Sequence, residues 1–119
     1  MKKFLILFVL AISMIGLNAQ TIGSYTIVTK PGYELQYTAT KLSPAECSVK
    51  CVNLTSENAI DVITIDETIE IEGTVFSVTS VADNGFAYCY SARKFVLPNT
   101  IKSIGSQAFD STGLTDVVI

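Results

Sequence analysis

Alternating apolar and polar residues predict a β-hairpin near the start of the chain's polar portion. Residues 24–29 and 33–39 both have strand patterns, and the dipeptide Pro31-Gly32 between them is typical of a turn. In the second strand the alternation places Tyr33, Leu35 and Tyr37 on one face. We expect this face to be packed against the rest of the fold, which is a commoner role for such a stripe than a platform for an aromatic ligand.

Two further strands are predicted for residues 47–54 and 60–65, which are separated by the polar segment 55–58. Each of the two segments is rich in β-branched and other apolar residues. We therefore expect them to add a second pair of strands to the fold.

Another hairpin is predicted around Glu72-Gly73. A two-residue loop at this point would pair Ile71 with Thr74 and Ile69 with Phe76. This register collects Ile69, Ile71, Phe76 and Val78 on one face of the hairpin, as a sheet with one buried side requires, and Val75 is the one misfit.

A repeated pattern follows, in which residues 78–86 and 101–109 match at an offset of 23. A period of this size is typical of solenoid proteins, whose units bury their apolar faces by stacking on one another. The spacing predicts one turn of α-helix or 3₁₀-helix before the phenylalanine of each copy. The predicted repeat core comprises Val78, Val81, Phe86, Phe95, Leu97, Ile101, Ile104, Phe109, Leu114, Val117 and Ile119.

The order of residues within 78–109 resembles the BspA-like leucine-rich repeat family. The resemblance rests on Val-Thr-Ser-Val at 78–81, Gly-Phe at 85–86, Cys89, Phe-Val-Leu-Pro at 95–98, and Ile-Lys-Ser-Ile-Gly-Ser-Gln-Ala-Phe at 101–109. The sequence departs from the family pattern at Ala82, Gly85 and Ala92, which weakens the packing expected of the first unit.

The resemblance implies a mainly β solenoid of the leucine-rich-repeat type with an all-β N-terminal cap. The expected organisation is a signal peptide over residues 1–19, the cap over 20–77, and two repeats over 78–119. The resemblance also implies an adhesion or binding role, in which ligands contact the residues that lie between the inward positions of the repeat strands. These residues are Lys94, Val96, Asp116 and Val118, and the alternative that they are ordinary solvated sheet residues stays open.

The N-terminus has the pattern of a secretory signal peptide. Lys2 and Lys3 precede an apolar run from Phe4 to Leu17, and Ala19 provides a small residue before a cleavage site. The run is shorter than the roughly 20 residues needed to cross a bilayer, which favours cleavage over an uncleaved anchor. We therefore expect a secreted or cell-surface protein without a membrane span after cleavage.

The C-terminus ends on the apolar strand Val117-Val118-Ile119. A solenoid that stopped here would leave an open edge and an uncovered core, which natural proteins normally protect. We therefore expect the chain to be the N-terminal part of a longer array with further repeats downstream.

Charge argues against nucleic-acid and anionic-lipid partners. The formal net charge is −3 and becomes −5 when Lys2 and Lys3 are removed with the signal peptide. The lysines form no basic run and are not interleaved with aromatic residues, as nucleic-acid binding would require. The length suits a single domain with a modest core.

The three cysteines are an odd number for a secreted chain. If Cys47 and Cys51 lie on one strand, their Cα atoms are about 13 Å apart, which exceeds the roughly 7 Å limit for a disulfide. Cys89 is interpreted as a small buried apolar residue. The redox state of the three thiols stays open at this point.

The absence of histidine argues against an enzyme. It removes the Ser-His-Asp and Cys-His arrangements and the commonest metal ligand. Glu70 and Glu72 form the best carboxylate pair, but they flank a predicted turn and the chain contains no tryptophan to stack on a sugar. We expect no catalytic residues, no metal and no cofactor.

Three function classes are consistent with these observations. The favoured class is a non-catalytic adhesion module that presents a repeat surface to protein or matrix ligands. The alternatives are a self-associating structural surface protein and the N-terminal accessory region of a larger secreted enzyme. Further repeats followed by an anchoring tail would favour adhesion, whereas a histidine-containing domain would favour the enzyme.

Overall fold

The computed structural model describes residues 21–54, 60–87, 89, 92–110 and 116–118. This part of the chain is built from β-strands and turns. The strands are β1 (Tyr25–Lys30), β2 (Tyr33–Leu42), β3 (Ala45–Leu54), β4 (Ile63–Thr64), β5 (Thr68–Ile71), β6 (Thr74–Val81), β7 (Lys94–Val96), β8 (Ser103–Ile104) and β9 (Asp116–Val118).

Six strands form one mixed sheet in the order β8-β6-β3-β2-β1, with β5 also paired to β6. The β1–β2, β2–β3 and β5–β6 pairs are antiparallel. The β3–β6 and β6–β8 pairs are parallel. Ser77 pairs with both Glu46 of β3 and Thr68 of β5, and Ser80 pairs with both Ser48 of β3 and Ser103 of β8. Strands β5 and β8 therefore lie one after the other along the same edge of β6.

The other three strands form a parallel sheet in the order β9-β7-β4. Its central register aligns Ile63, Phe95 and Val117. A bridge between Ile60 and Ala92 extends the pairing of β4 with β7 toward the N-terminal end of both strands. The predicted strand at residues 60–65 therefore exists in part, but it does not pair with the strand at residues 47–54.

Both predicted hairpins are confirmed. In the β1–β2 hairpin Lys30 pairs with Tyr33 across the turn, and the predicted packed stripe of Tyr33, Leu35 and Tyr37 is buried. Alternation dictates this outcome, because every second residue of a strand faces the same side.

The second hairpin has the predicted register, with Ile69 opposite Phe76 and Ile71 opposite Thr74. Glu72 and Gly73 have φ angles of 50° and 86°. Positive φ at both loop positions is the requirement of the tight two-residue turn that matches strand twist, so the turn residues and the alternation specify the same register.

One hydrophobic core joins the two sheets. Three aromatic rings pack against one another in this core, those of the fully buried Phe86 and Phe95 and of the partly buried Phe109. The ring centroids of Phe86 and Phe95 are 4.7 Å apart, those of Phe95 and Phe109 5.0 Å, and those of Phe86 and Phe109 5.5 Å. These separations fall in the range of favourable aromatic packing.

The helical turns predicted for the repeats are wrong, since neither α-helix nor 3₁₀-helix occurs among the described residues. After β6 the N–H of Gly85 donates to the carbonyl of Ala82 at 2.9 Å, which closes a tight turn. Asn84 has a φ of 56°, and its counterpart in the second copy, Gln107, has a φ of 55°. A left-handed residue at this point interrupts a right-handed helix, so both copies turn without forming one.

The predicted leucine-rich-repeat solenoid is also wrong. In a solenoid each unit contacts only its neighbours, whereas here β6 of the first copy pairs with β3 and β5 of the N-terminal part. The N-terminal strands thus bury the apolar face of the first copy within a shared sheet and a shared core. The described chain is accordingly an all-β arrangement of a mixed sheet and a parallel sheet.

The predicted division of the chain at residue 77 stays a prediction, and β6 runs through that boundary. The predicted signal peptide, residues 1–19, lies outside the described residues, as do Leu114 and Ile119 of the predicted core.

Candidate functional site

The candidate site is the outward side of the parallel sheet, which we call the parallel-sheet face. It comprises Thr64 of β4, Lys94 and Val96 of β7, and Asp116 and Val118 of β9. Four of these five are the ligand-contacting residues predicted from the sequence. Strand alternation produces this face, because the intervening residue of β7, Phe95, is fully buried on the opposite side.

Strand register sets the residues of this face side by side. Asp116 lies opposite Lys94, and Val118 lies opposite Val96. Thr64 lies opposite Val96 on its other side. Since adjacent strands are about 4.8 Å apart, the face consists of a row formed by Thr64, Val96 and Val118 beside a pair formed by Lys94 and Asp116.

The exposure of four of these side chains suits a contact surface. Val118 is 41% exposed, Thr64 is exposed, and Lys94 and Val96 are half-buried. Val62, two residues before Thr64, is 40% exposed and extends the apolar character of β4. Apolar side chains with polar side chains beside them match the apolar centre and polar rim of protein–protein interfaces.

The sequence predicted four members of the face but missed Thr64. Strand β4 lies before the repeated pattern, and its separation from β7 along the chain is longer than that of β7 from β9, so the repeat spacing could not place it beside β7. The alternation within residues 60–65 was the available signal for its orientation.

The predicted core residues occupy two kinds of environment. Val78, Val81, Phe86, Phe95 and Leu97 are buried. Ile101, Phe109 and Val117 are partly buried and pack against the core. Ile104 is the exception, because its side chain is 45% exposed on the edge strand β8 and does not belong to the core.

The carboxylates considered for catalysis do not form a site. Glu70 is exposed on β5, and Glu72 is exposed in the left-handed turn that follows. The turn geometry takes Glu72 out of the strand, so the two residues do not share a strand face as an i, i+2 pair would. Both belong to the solvent-facing end of the β5–β6 hairpin.

The three thiols lie in different surroundings. Cys47 and Cys51 are both on β3, as predicted. Cys47 is fully buried, and burial raises the pKa of its thiol to about 12. Cys89 is buried as well, but its thiol hydrogen-bonds to that of Cys51. No sequence pattern indicates this contact, since it joins segments that are distant along the chain.

Within the described ranges, no group of three or more histidine, cysteine, aspartate or glutamate side chains is arranged to hold a metal ion. The same ranges contain no helix with the length and apolarity needed to cross a bilayer.

Comparisons with known proteins give one structural likeness. No family model matches the chain, and no curated protein matches it. A solved structure of a leucine-rich cell surface protein from Faecalibacterium prausnitzii A2-165 is similar at 15% identity and a TM-score of 0.39. The match covers 77% of this chain and 32% of that one, so this chain spans about a third of the length of its structural neighbour.

Proposed function

We propose that this chain is a non-catalytic binding module, secreted or displayed at the cell surface, whose parallel-sheet face contacts protein or extracellular-matrix ligands. The observation that carries the proposal is the alignment of Lys94, Val96 and Val118 on the outward side of a sheet whose other side is packed in the core. A rigid backbone reduces the conformational entropy lost when such a surface binds.

The sequence supports the same class of function. Residues 78–109 resemble the BspA-like leucine-rich repeat family, which implies adhesion, and the N-terminus has the pattern of a secretory signal. The chain has no histidine and no tryptophan, which leaves little of the usual catalytic chemistry. Its acidic balance favours protein ligands over nucleic acids.

The binding test uses charge and apolar variants of the face. We expect Lys94→Glu and Val96→Ser each to weaken binding to immobilised collagen or laminin by about tenfold, because central interface residues carry most of the binding energy. Surface plasmon resonance with the purified chain measures this change, with immobilised albumin as the non-matrix reference.

Two variants provide matched controls. Lys50→Glu makes the same charge change on the exposed side of β3, and Val75→Ser makes the same apolar-to-polar change at a residue of β6 that is 62% exposed. Both should leave binding within about twofold of the unmodified chain. Failure to bind either matrix protein, or binding that Lys94→Glu and Val96→Ser leave intact, contradicts the proposal.

One observation favours self-association as a second candidate. Tyr25 and Ile27 of β1 are 56% and 45% exposed, and among the described strands β1 pairs only with β2. An edge strand with exposed apolar residues can pair with a second copy of the same sheet. Sedimentation velocity over a wide concentration range tests this candidate, since Tyr25→Lys should abolish any dimer that forms through β1.

A further inference from the structure

Cys51 and Cys89 are brought together where β3 runs past the end of β6. The N–H of Ala82 donates to the carbonyl of Val49 at 3.0 Å, and the N–H of Cys51 donates to the carbonyl of Gly85 at 2.8 Å. These bonds continue the β3–β6 pairing into the turn that follows β6. They fix the backbone of Cys51 against the segment that carries Cys89.

Cys89 is held on the other side of the junction. Its N–H donates to the carbonyl of Phe86 at 3.3 Å, and its own carbonyl accepts the N–H of Ala92 at 3.1 Å. Phe86 is anchored in the core by its contact with Phe95. The backbone of Cys89 is therefore held beside a residue that is itself anchored in the core.

The two thiols face one another. A hydrogen bond joins their side chains, and the S–H of Cys51 donates to the carbonyl of Asn53 at 3.5 Å. Cys51 is half-buried and Cys89 is 4% exposed. Cys47 takes no part in this contact, because it is fully buried opposite Ala39 of β2 and Val78 of β6.

We propose that Cys51 and Cys89 are the reduced form of a disulfide, which closes when the folded chain meets a low-molecular-weight disulfide oxidant such as oxidised glutathione. The cross-link ties β3 to the turn after β6. It leaves Cys47 as the odd thiol, buried in the core.

The two thiols have distinct roles in the reaction. The hydrogen bond with Cys89 lowers the pKa of Cys51 to about 7, and the same bond together with burial raises the pKa of Cys89. Cys51 is therefore the thiol that ionises more readily, and it is also the more accessible of the two. A thiolate that is both ionised and accessible is the one that attacks a disulfide.

The exchange balances in two steps. The Cys51 thiolate attacks one sulfur of oxidised glutathione, forming a mixed disulfide and releasing one glutathione thiolate. Cys89 then loses its proton to a glutathione thiolate and attacks the Cys51 sulfur, which expels the second glutathione. Two protein thiols are oxidised by two electrons, and one oxidised glutathione becomes two reduced glutathione molecules.

Peptide mass spectrometry tests the pairing directly. The full chain is reduced, purified, treated with oxidised glutathione without denaturant, blocked with N-ethylmaleimide, unfolded and digested with trypsin. No lysine or arginine lies between residues 51 and 92, so Cys51 and Cys89 fall on one peptide, 51–93, whereas Cys47 falls on peptide 42–50.

We expect peptide 51–93 to be lighter by two hydrogens and to carry no maleimide, while Cys47, exposed by unfolding in the presence of excess maleimide, is labelled. Three results would overturn the proposal. These are maleimide on both Cys51 and Cys89, glutathione that persists on either residue, and a covalent link between peptides 42–50 and 51–93. This test uses only the unmodified chain, so its outcome does not depend on the folding of any variant.

Thermal unfolding gives an independent readout. Oxidation should raise the Tm of the unmodified chain by about 10–20 °C, because a cross-link that closes a loop of nearly forty residues constrains the unfolded chain. Cys51→Ser should abolish this shift and Cys47→Ala should retain it. An equal shift in all three proteins would contradict the assignment of the pair.

Discussion

The two copies of the repeated pattern differ in how many strands pack beside them and in how deeply their apolar side chains are buried. In the first copy Phe86 is fully buried and Val81 is 2% exposed, whereas in the second copy Phe109 is partly buried and Ile104 is 45% exposed. The two segments have closely similar patterns and make the same left-handed turn at Asn84 and Gln107. Local conformation is therefore shared between the copies, while burial is not.

The sheet order explains this difference. Strand β6 of the first copy pairs with β3 on one side and with β5 and β8 on the other. Strand β8 of the second copy pairs, among the described strands, with β6. A repeated pattern thus fixes the path of the chain, but the strands packed beside it decide which of its apolar residues become core.

The largest expected effect comes from deleting the aromatic rings of the two copies. Phe86→Ala should lower the free energy of unfolding by about 3–5 kcal/mol, because it leaves a cavity in a fully packed site. Phe109→Ala should cost about 1–3 kcal/mol, since its ring is only partly buried and solvent can fill the space. Urea unfolding followed by circular dichroism measures both values.

Val75→Ala serves as the control for this comparison, because Val75 is an exposed strand residue and its truncation should cost less than about 1 kcal/mol. Equal losses for Phe86→Ala and Phe109→Ala would show that the second copy is packed as tightly as the first.

A smaller effect is expected at Gly105, where the second copy approaches the backbone of the first. A Cβ atom at Gly105 would lie 2.5 Å from the nitrogen of Asp83 and 2.7 Å from the carbonyl carbon of Ala82. Gly105→Ala should therefore lower the free energy of unfolding by about 1–3 kcal/mol through overpacking. The equivalent position in the first copy is Ala82, which already carries a Cβ atom.

Ala82→Gly is the matched reverse change, and it should cost only about 0.5–1 kcal/mol through added chain entropy in the unfolded state. The same urea titration measures both variants. A Gly105→Ala variant with unchanged free energy of unfolding would contradict this prediction. It would mean that the backbones of the two copies can move apart without loss of stability.

Local features of this fold were predictable, whereas its non-local pairings were not. The register that sets Ile69 opposite Phe76 follows from a two-residue turn and alternation, which act over a few residues. The parallel pairing of β3 with β6 joins distant segments and has no local signal. The solenoid prediction failed at this pairing, because the repeat spacing contains no information about the strands that precede it.

In the candidate site, too, local features were predictable and non-local pairings were not. Lys94 and Val96 could be predicted because they alternate with the inward Phe95 on one strand. Thr64 could not, because its place beside Val96 depends on the pairing of β4 with β7. The contact of Cys51 with Cys89 likewise depends on the meeting of β3 and the turn after β6.

The smallest expected effect concerns an ion pair that ties the second copy to the N-terminal strands. Lys102 Nζ lies 2.8 Å from Glu46 Oε2, and the Thr79 hydroxyl donates to Glu46 Oε1 at 3.3 Å. The hydrogen bond from Lys102 lowers the pKa of Glu46 below its ordinary value of 4.5. Lys102 is 67% exposed, so solvent and salt screen much of the attraction.

Because folding lowers the pKa of Glu46, its contribution to stability is complete above pH 4.5 and is lost as the pH falls through the lowered pKa. We expect the Tm of the unmodified chain to fall more steeply below pH 4.5 than that of Glu46→Gln, which has no carboxylate at this position to protonate. Glu70→Gln, which removes an exposed carboxylate from β5, should retain the steeper fall. Parallel curves for the unmodified chain and Glu46→Gln at low salt would mean that the ion pair adds nothing to stability and that the second copy is held by its backbone pairing with β6.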